Sequence, residues 1–247
     1  MTGDTGSSEV ARRDVGELVG RLTGDDLDVG ERGRLLLRLT RALAAGAKAA
    51  GTRAVLSGRV LADVVTDLVP HLPVRDLLTL REHHAGLSGD QLAEALVRSA
   101  ARVTAGIGAA GGAVASAEMA APPALLAAPV QLLAETVAVV AVELKLVAEL
   151  HVVYGKAPQG NRAQVGVAYI GAWAAKQGID PRQGGPALAT VLSSAAKAQL
   201  KTRLVRRAGR NLSTFAPLLV GAVAGAELNR RETRSLGDAL IRDLHRR

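Results

Sequence analysis

This 247-residue chain contains no cysteine. That excludes disulfides, thiolate metal sites and a cysteine nucleophile, and it suits a reducing compartment. Aromatic residues are scarce: one Trp, one Phe and two Tyr. A core must therefore be built mostly from Ala, Leu and Val, small side chains that let helices approach closely. Period-two alternation of apolar and polar residues is missing throughout, so no strand is expected and the fold class is all-α. Neither a P-loop, a GxSxG elbow nor an HExxH helix occurs. The glycines of 106–111, GIGAAG, mimic a phosphate loop, but no strand precedes them. His71, His83, His84, His151 and His245 lack metal-ligand spacing. No catalytic residue, metal or cofactor is expected. The opening MTGDTGSSEVARRD lacks a basic segment followed by an apolar one. A secretory leader is not expected, so the protein is expected in the cytoplasm or on the cytoplasmic, inner face of the cell membrane.

What is present is apolar residues, 48% of the chain, and a formal net charge of +8. The length suffices to bury a core without covalent staples, and the charge favours an anionic partner. The sequence is organised around residues 103–155, a Gly/Ala-rich run, a Pro-Pro pair and then a Val/Leu-rich run. Between Arg102 and Glu135 its only charged residue is Glu118.

Helical spacing divides the rest. Residues 1–8 are expected to be disordered, and helices to cover 9–22, 31–50, 54–69 and 74–84. Ser88 and Gln91 form a capping-box pattern that starts a long helix into the glycine-rich stretch. That helix breaks near Pro122-Pro123, and the next spans 124–153, the two forming an antiparallel hairpin. In the second helix Val130, Leu133, Val137, Val140, Leu144 and Val147 share a face, with Glu135, Lys145 and Glu149 opposite. Further helices are expected over 161–177 and 186–208. A second charge-free stretch covers 211–226, and a final amphipathic helix follows it. Residues 9–86 read as a helical extension to a domain over 87–247.

The apolar runs of 15 to 16 residues at 103–117, 119–134 and 211–226 are short for a membrane span, which needs about 20. They suit a buried core or an interfacial element. GAVASAE at 112–118 echoes GAVAGAE at 221–227. Each segment closes with a glutamate in apolar company, making Glu118 and Glu227 candidate buried carboxylates. Arg203, Arg206, Arg207 and Arg210 share one helix face just before the apolar 211–226. Beside an insertion element, such a face is the arrangement that attracts anionic lipid. Nucleic acid is a poorer partner, because the basic run has neither interleaved aromatics nor a recognition signature.

The order of these features resembles the EcsC-like family of bacterial helical proteins over about residues 88–244. Tyr154-Gly155 and the series Gly221, Gly225, Asn229 and Thr233 carry the resemblance. It implies an all-helical, membrane-associated accessory protein with no catalytic residues to carry over. Two readings follow. One is a non-enzymatic accessory or interaction protein whose basic helix and apolar hairpins contact an anionic membrane surface. The other is a soluble helical module that binds an apolar ligand such as a lipid, or a protein partner, a second copy included.

Overall fold

A computed structural model describes residues 4–50, 59–119, 128–176 and 218–246. Those residues form eight α-helices, one 3-10 turn and short connections, so the protein is an all-α multi-helix bundle. The expected helix over 186–208 and the arginines at 203–210 lie outside the described residues.

Helix α1, Asp4–Leu22, starts inside the segment expected to be disordered, and residues 4–8 are helical. Helix α2, Val29–Ala50, opens on a reciprocal capping box. The Asp28 carboxylate accepts the Glu31 N–H at 2.8 Å, and the Glu31 carboxylate accepts the Asp28 N–H at 3.3 Å. Helix α3, Arg59–Leu68, runs into the 3-10 turn Val69–His71. Pro70 stands at the start of that turn, where a missing N–H costs nothing. Asp76 caps helix α4, Leu77–His83, by accepting the Thr79 N–H at 2.8 Å. That hydrogen bond holds the Asp76 carboxyl below its usual range.

Helix α5, Gly89–Met119, begins directly after Ser88, as its capping pattern predicts. Helix α6, Ala128–Val153, ends where Gly155 adopts φ +63°. The Lys156 N–H bonds the His151 carbonyl at 2.8 Å and the Gly155 N–H bonds that of Val152 at 3.1 Å. This is a Schellman stop, which favours glycine because its backbone is left-handed. Helix α7, Arg162–Lys176, is opened by a second reciprocal box, between Asn161 and Gln164 at 3.0 Å each way. Helix α8, Leu218–Arg246, runs unbroken. The apolar 218–226 and the amphipathic tail are therefore one helix, where the sequence reading separates them.

Helix α6 is the axis of the bundle. From Gln131 to Leu150 its side chains are buried on nearly every side, Glu135 and Lys145 only partly. A helix apolar all round belongs inside a protein, and α2, α3, α5, α7 and α8 surround it. The one-sided reading of this helix is corrected accordingly: Glu149, on the face opposite the apolar residues, is buried, and so is Glu143. The most extensive helix–helix interface joins α5 to α8, so the partner of α5 is chiefly the last helix rather than its neighbour in sequence. The pair is antiparallel. Gly108 meets Gly225, Thr104 meets Asn229, Val97 meets Gly237, and Asp90 meets His245. Helix α2 lies parallel to α5, with Asp25 on Ser99 and Arg32 on Gly106. Leu18, Leu22, Leu39, Val65 and Leu80 belong to the same buried cluster as Leu96, Leu133 and Leu240. The segment read as an N-terminal extension is thus part of one core.

Candidate functional site

The resemblance-bearing residues of α8 recur every four positions: Gly221, Gly225, Asn229, Thr233, with Gly237 continuing the series. In a helix that spacing makes one stripe, and from Gly225 onward it faces α5. A Cβ on Gly225 would lie 2.5 Å from the Gly108 carbonyl oxygen, so the two backbones touch. Each glycine of the 106–111 run admits a different neighbour. Gly106 leaves room for the Arg32 side chain of α2, and Gly108 for the α8 backbone. A Cβ on Gly111 would sit 2.5 Å from the Glu135 carboxylate of α6. The apparent phosphate loop is a helix surface cut back for three neighbours.

One turn further along, the stripe becomes polar. The Asn229 amide donates to the Thr104 carbonyl at 3.0 Å. The Thr104 and Thr233 hydroxyls are 2.9 Å apart. The Thr233 hydroxyl donates to Glu143 Oε1 at 3.3 Å, and the Trp173 indole N–H donates to Glu143 Oε2 at 2.8 Å. All five residues are buried. This chain of hydrogen bonds passes through α5, α8, α6 and α7. Gly and Ala surfaces have few knobs to fix how one helix slides along another. Donors and acceptors satisfied at one register supply what those surfaces lack.

A second buried group ties α6 to the α4 approach. Arg75 grips Glu149 with two hydrogen bonds, Nε to Oε1 at 2.8 Å and Nη2 to Oε2 at 2.9 Å. Lys145 stands 3.8 Å from the same carboxylate. The Glu149 hydrogen bond raises the Arg75 pKa, while burial and the Arg75 charge lower that of His84 nearby. Arg32, 3% exposed, donates to the Leu22 and Gly24 carbonyls at 3.0 and 2.8 Å. It closes the end of α1, whose last carbonyls have no helical partner.

Tyr154 belongs to a third group, at the other end of α5 and α8. Its hydroxyl donates to Asp90 at 2.8 Å, and His245 Nε2 lies 2.9 Å from the same carboxylate. The Tyr154 and His245 rings meet edge to face at 5.1 Å. Lys156 donates to the Leu244 carbonyl, capping α8. Burial and then the Asp90 hydrogen bond push the Tyr154 pKa up.

The two candidate buried carboxylates do not converge. Glu227 is only half-buried and pairs with Arg230 at 2.6 Å and Arg231 at 2.5 Å. Those partners lower its pKa, the reverse of a buried acid. Glu227 sits on α8 beside the level of Gly106, 12 residues back along α5 from Glu118. That is about 18 Å of helix rise. The Glu118 side chain lies outside the described residues; among those, the buried carboxylates are Glu143 and Glu149. Their signal in the sequence was a Glu within the most apolar helix, matched by a lone Trp and an isolated Arg75 elsewhere.

The crevice between Leu36, Leu37, Thr40, Gly111, Gln131 and Glu135 is too narrow for a water molecule. Among the described residues no cluster of His, Asp and Glu is arranged to hold a metal ion, and no helix is long and apolar enough to cross a membrane. Fold and site together define a small-residue helical bundle whose buried polar groups set helix register. The chain matches no known protein family, curated protein or solved structure.

Proposed function

We propose that the protein is a non-enzymatic, membrane-associated accessory or interaction protein that docks one end of its bundle on an anionic bilayer, in keeping with its resemblance to the EcsC-like family. The observation that carries this reading is where charge is scarce. The end of α5, the starts of α6 and α8, and the end of α2 lie at one end of the bundle, as the Gly108–Gly225, Gly111–Gln131 and Arg32–Gly106 neighbours require. Of the described residues there, 42–50, 112–119, 128–130 and 218–226 contain only Lys48 and Glu118 as charges. Val223, 67% exposed, stands there on α8. The opposite end carries Asp90, Lys156, Arg242, His245 and Arg246.

Helix α6 spends its apolar surface on the core. The lipid contact accordingly narrows from whole hairpins to the helix ends gathered at this end of the bundle, a shallow interfacial mode for segments too short to span. Arg203, Arg206, Arg207 and Arg210 precede the apolar 211–226 in sequence and remain proposed phosphate contacts. The tight α2–α5–α6 junction disfavours the reading in which a lipid tail lies between these helices.

Flotation with purified protein tests the proposal. Binding to phosphatidylcholine vesicles containing phosphatidylglycerol is expected at low salt, weakened at high salt as screening shortens the reach of charge. Absence of binding to such vesicles at low salt would overturn it.

A further inference from the structure

Helix α2 carries a cationic face. After Glu31 it contains Arg32, Arg34, Arg38, Arg41 and Lys48 and no acidic residue. Arg32 is consumed in capping α1. Arg34, Arg38 and Arg41 are exposed, at spacings of four and three that keep them on one side of the helix. None of the three forms an ion pair with a described residue.

Their level along the bundle is what gives them a partner. Because α2 runs parallel to α5 with Arg32 on Gly106, and Leu36, Leu37 and Thr40 flank Gly111, these arginines stand beside residues 108–115 of α5. That is just short of the charge-poor end. The buried side of α2, Leu35, Leu36, Leu39 and Leu43, fixes the helix to the core, so its orientation is set before any partner arrives. We propose that Arg34, Arg38 and Arg41 form a phosphate-binding collar for anionic phospholipid headgroups, holding the bundle with its charge-poor end toward the bilayer. Guanidinium suits this because its planar fork pairs with two phosphate oxygens at once. The acyl region would meet the charge-poor helix ends, where Val223 is exposed, while the headgroups meet the collar, a depth-matched pair of contacts.

This rests on the membrane reading above, and one titration separates the two. Binding of wild type, R34Q/R38Q/R41Q and R162Q/R242Q/R246Q is measured on phosphatidylcholine vesicles with and without phosphatidylglycerol. The second variant removes the same charge from exposed arginines near the opposite end. Each interfacial arginine contributes roughly a fivefold gain, so R34Q/R38Q/R41Q is expected to bind about 100-fold more weakly to the anionic vesicles. R162Q/R242Q/R246Q should stay within about fivefold of wild type. Circular dichroism at matched wild-type helicity confirms that either change is one of binding. Unchanged binding by R34Q/R38Q/R41Q overturns the collar and leaves the membrane reading standing. Equal losses in both variants also overturn it, since net charge rather than position would then be acting. A wild type that binds neither vesicle overturns both.

Discussion

Gly225→Val should lower stability by about 3 kcal/mol, the upper end of the overpacking range, and shift the thermal midpoint by roughly 10 °C. The obstacle is backbone. A Cβ at 225 would lie 2.5 Å from the Gly108 carbonyl oxygen, and no side-chain rotation can clear it. Helices α5 and α8 must separate, and the hydrogen bonds of Thr104 with Asn229 and Thr233, a turn or two away, loosen with them. Gly33→Ala is the control. Gly33 lies inside α2 with nothing within 4 Å of a would-be Cβ, so the change should stabilise by about 0.5 to 1 kcal/mol through helix propensity alone. Opposite signs in chemical denaturation of the two variants separate close approach from mere glycine content. Equal effects would mean that the α5–α8 contact is not close.

Trp173→Ala should cost about 4 kcal/mol. Trp173 is fully buried and is the single tryptophan of the chain, and removing a large buried aromatic costs about 3 to 5 kcal/mol. Trp173→Phe isolates the polar share. It keeps most of the ring and deletes the N–H that reaches Glu143 at 2.8 Å, for a loss of about 2 kcal/mol. Once Glu143→Leu has removed the acceptor, Trp173→Phe should cost much less. That non-additivity is the signature of a shared buried hydrogen bond. Strict additivity in the double-mutant cycle would show that the indole contributes by volume only.

Much of the fold was legible. Pro70, the start after Ser88 and the glycine stop after Tyr154 are local signals, and the described helices obey them; Pro122, Pro123 and Pro186 lie outside the described residues. Asp28 with Glu31, and Asn161 with Gln164, carried capping-box spacing that the sequence reading did not use. Partner choice was harder to read. The α8 stripe that docks on α5 is Gly, Gly, Asn, Thr, Gly, which gives no apolar period because its attraction comes from close backbone approach. The same cause hid the site. Glu143 and Glu149 lie on a helix that looks one-sided only if one face meets water, and in the bundle only Glu135 and Lys145 are even partly exposed between Gln131 and Leu150. Glu227 misled through its apolar neighbours, whereas Arg230 and Arg231, three and four residues on, were already placed to pair with it. The echo of 112–118 in 221–227 sits on the paired helices α5 and α8, and their register sets Gly112 beside Gly221.

The absence of cysteine from the chain makes the deciding measurement clean. Val223→Cys at the charge-poor end and Arg242→Cys near the other each accept one environment-sensitive fluorophore, and both sites are exposed. On phosphatidylglycerol-containing vesicles the probe at 223 should shift to the blue and become shielded from an aqueous quencher, while the probe at 242 stays in water. A probe at 223 that remains in water while the protein is vesicle-bound, or a probe at 242 that responds equally, would contradict the proposed orientation.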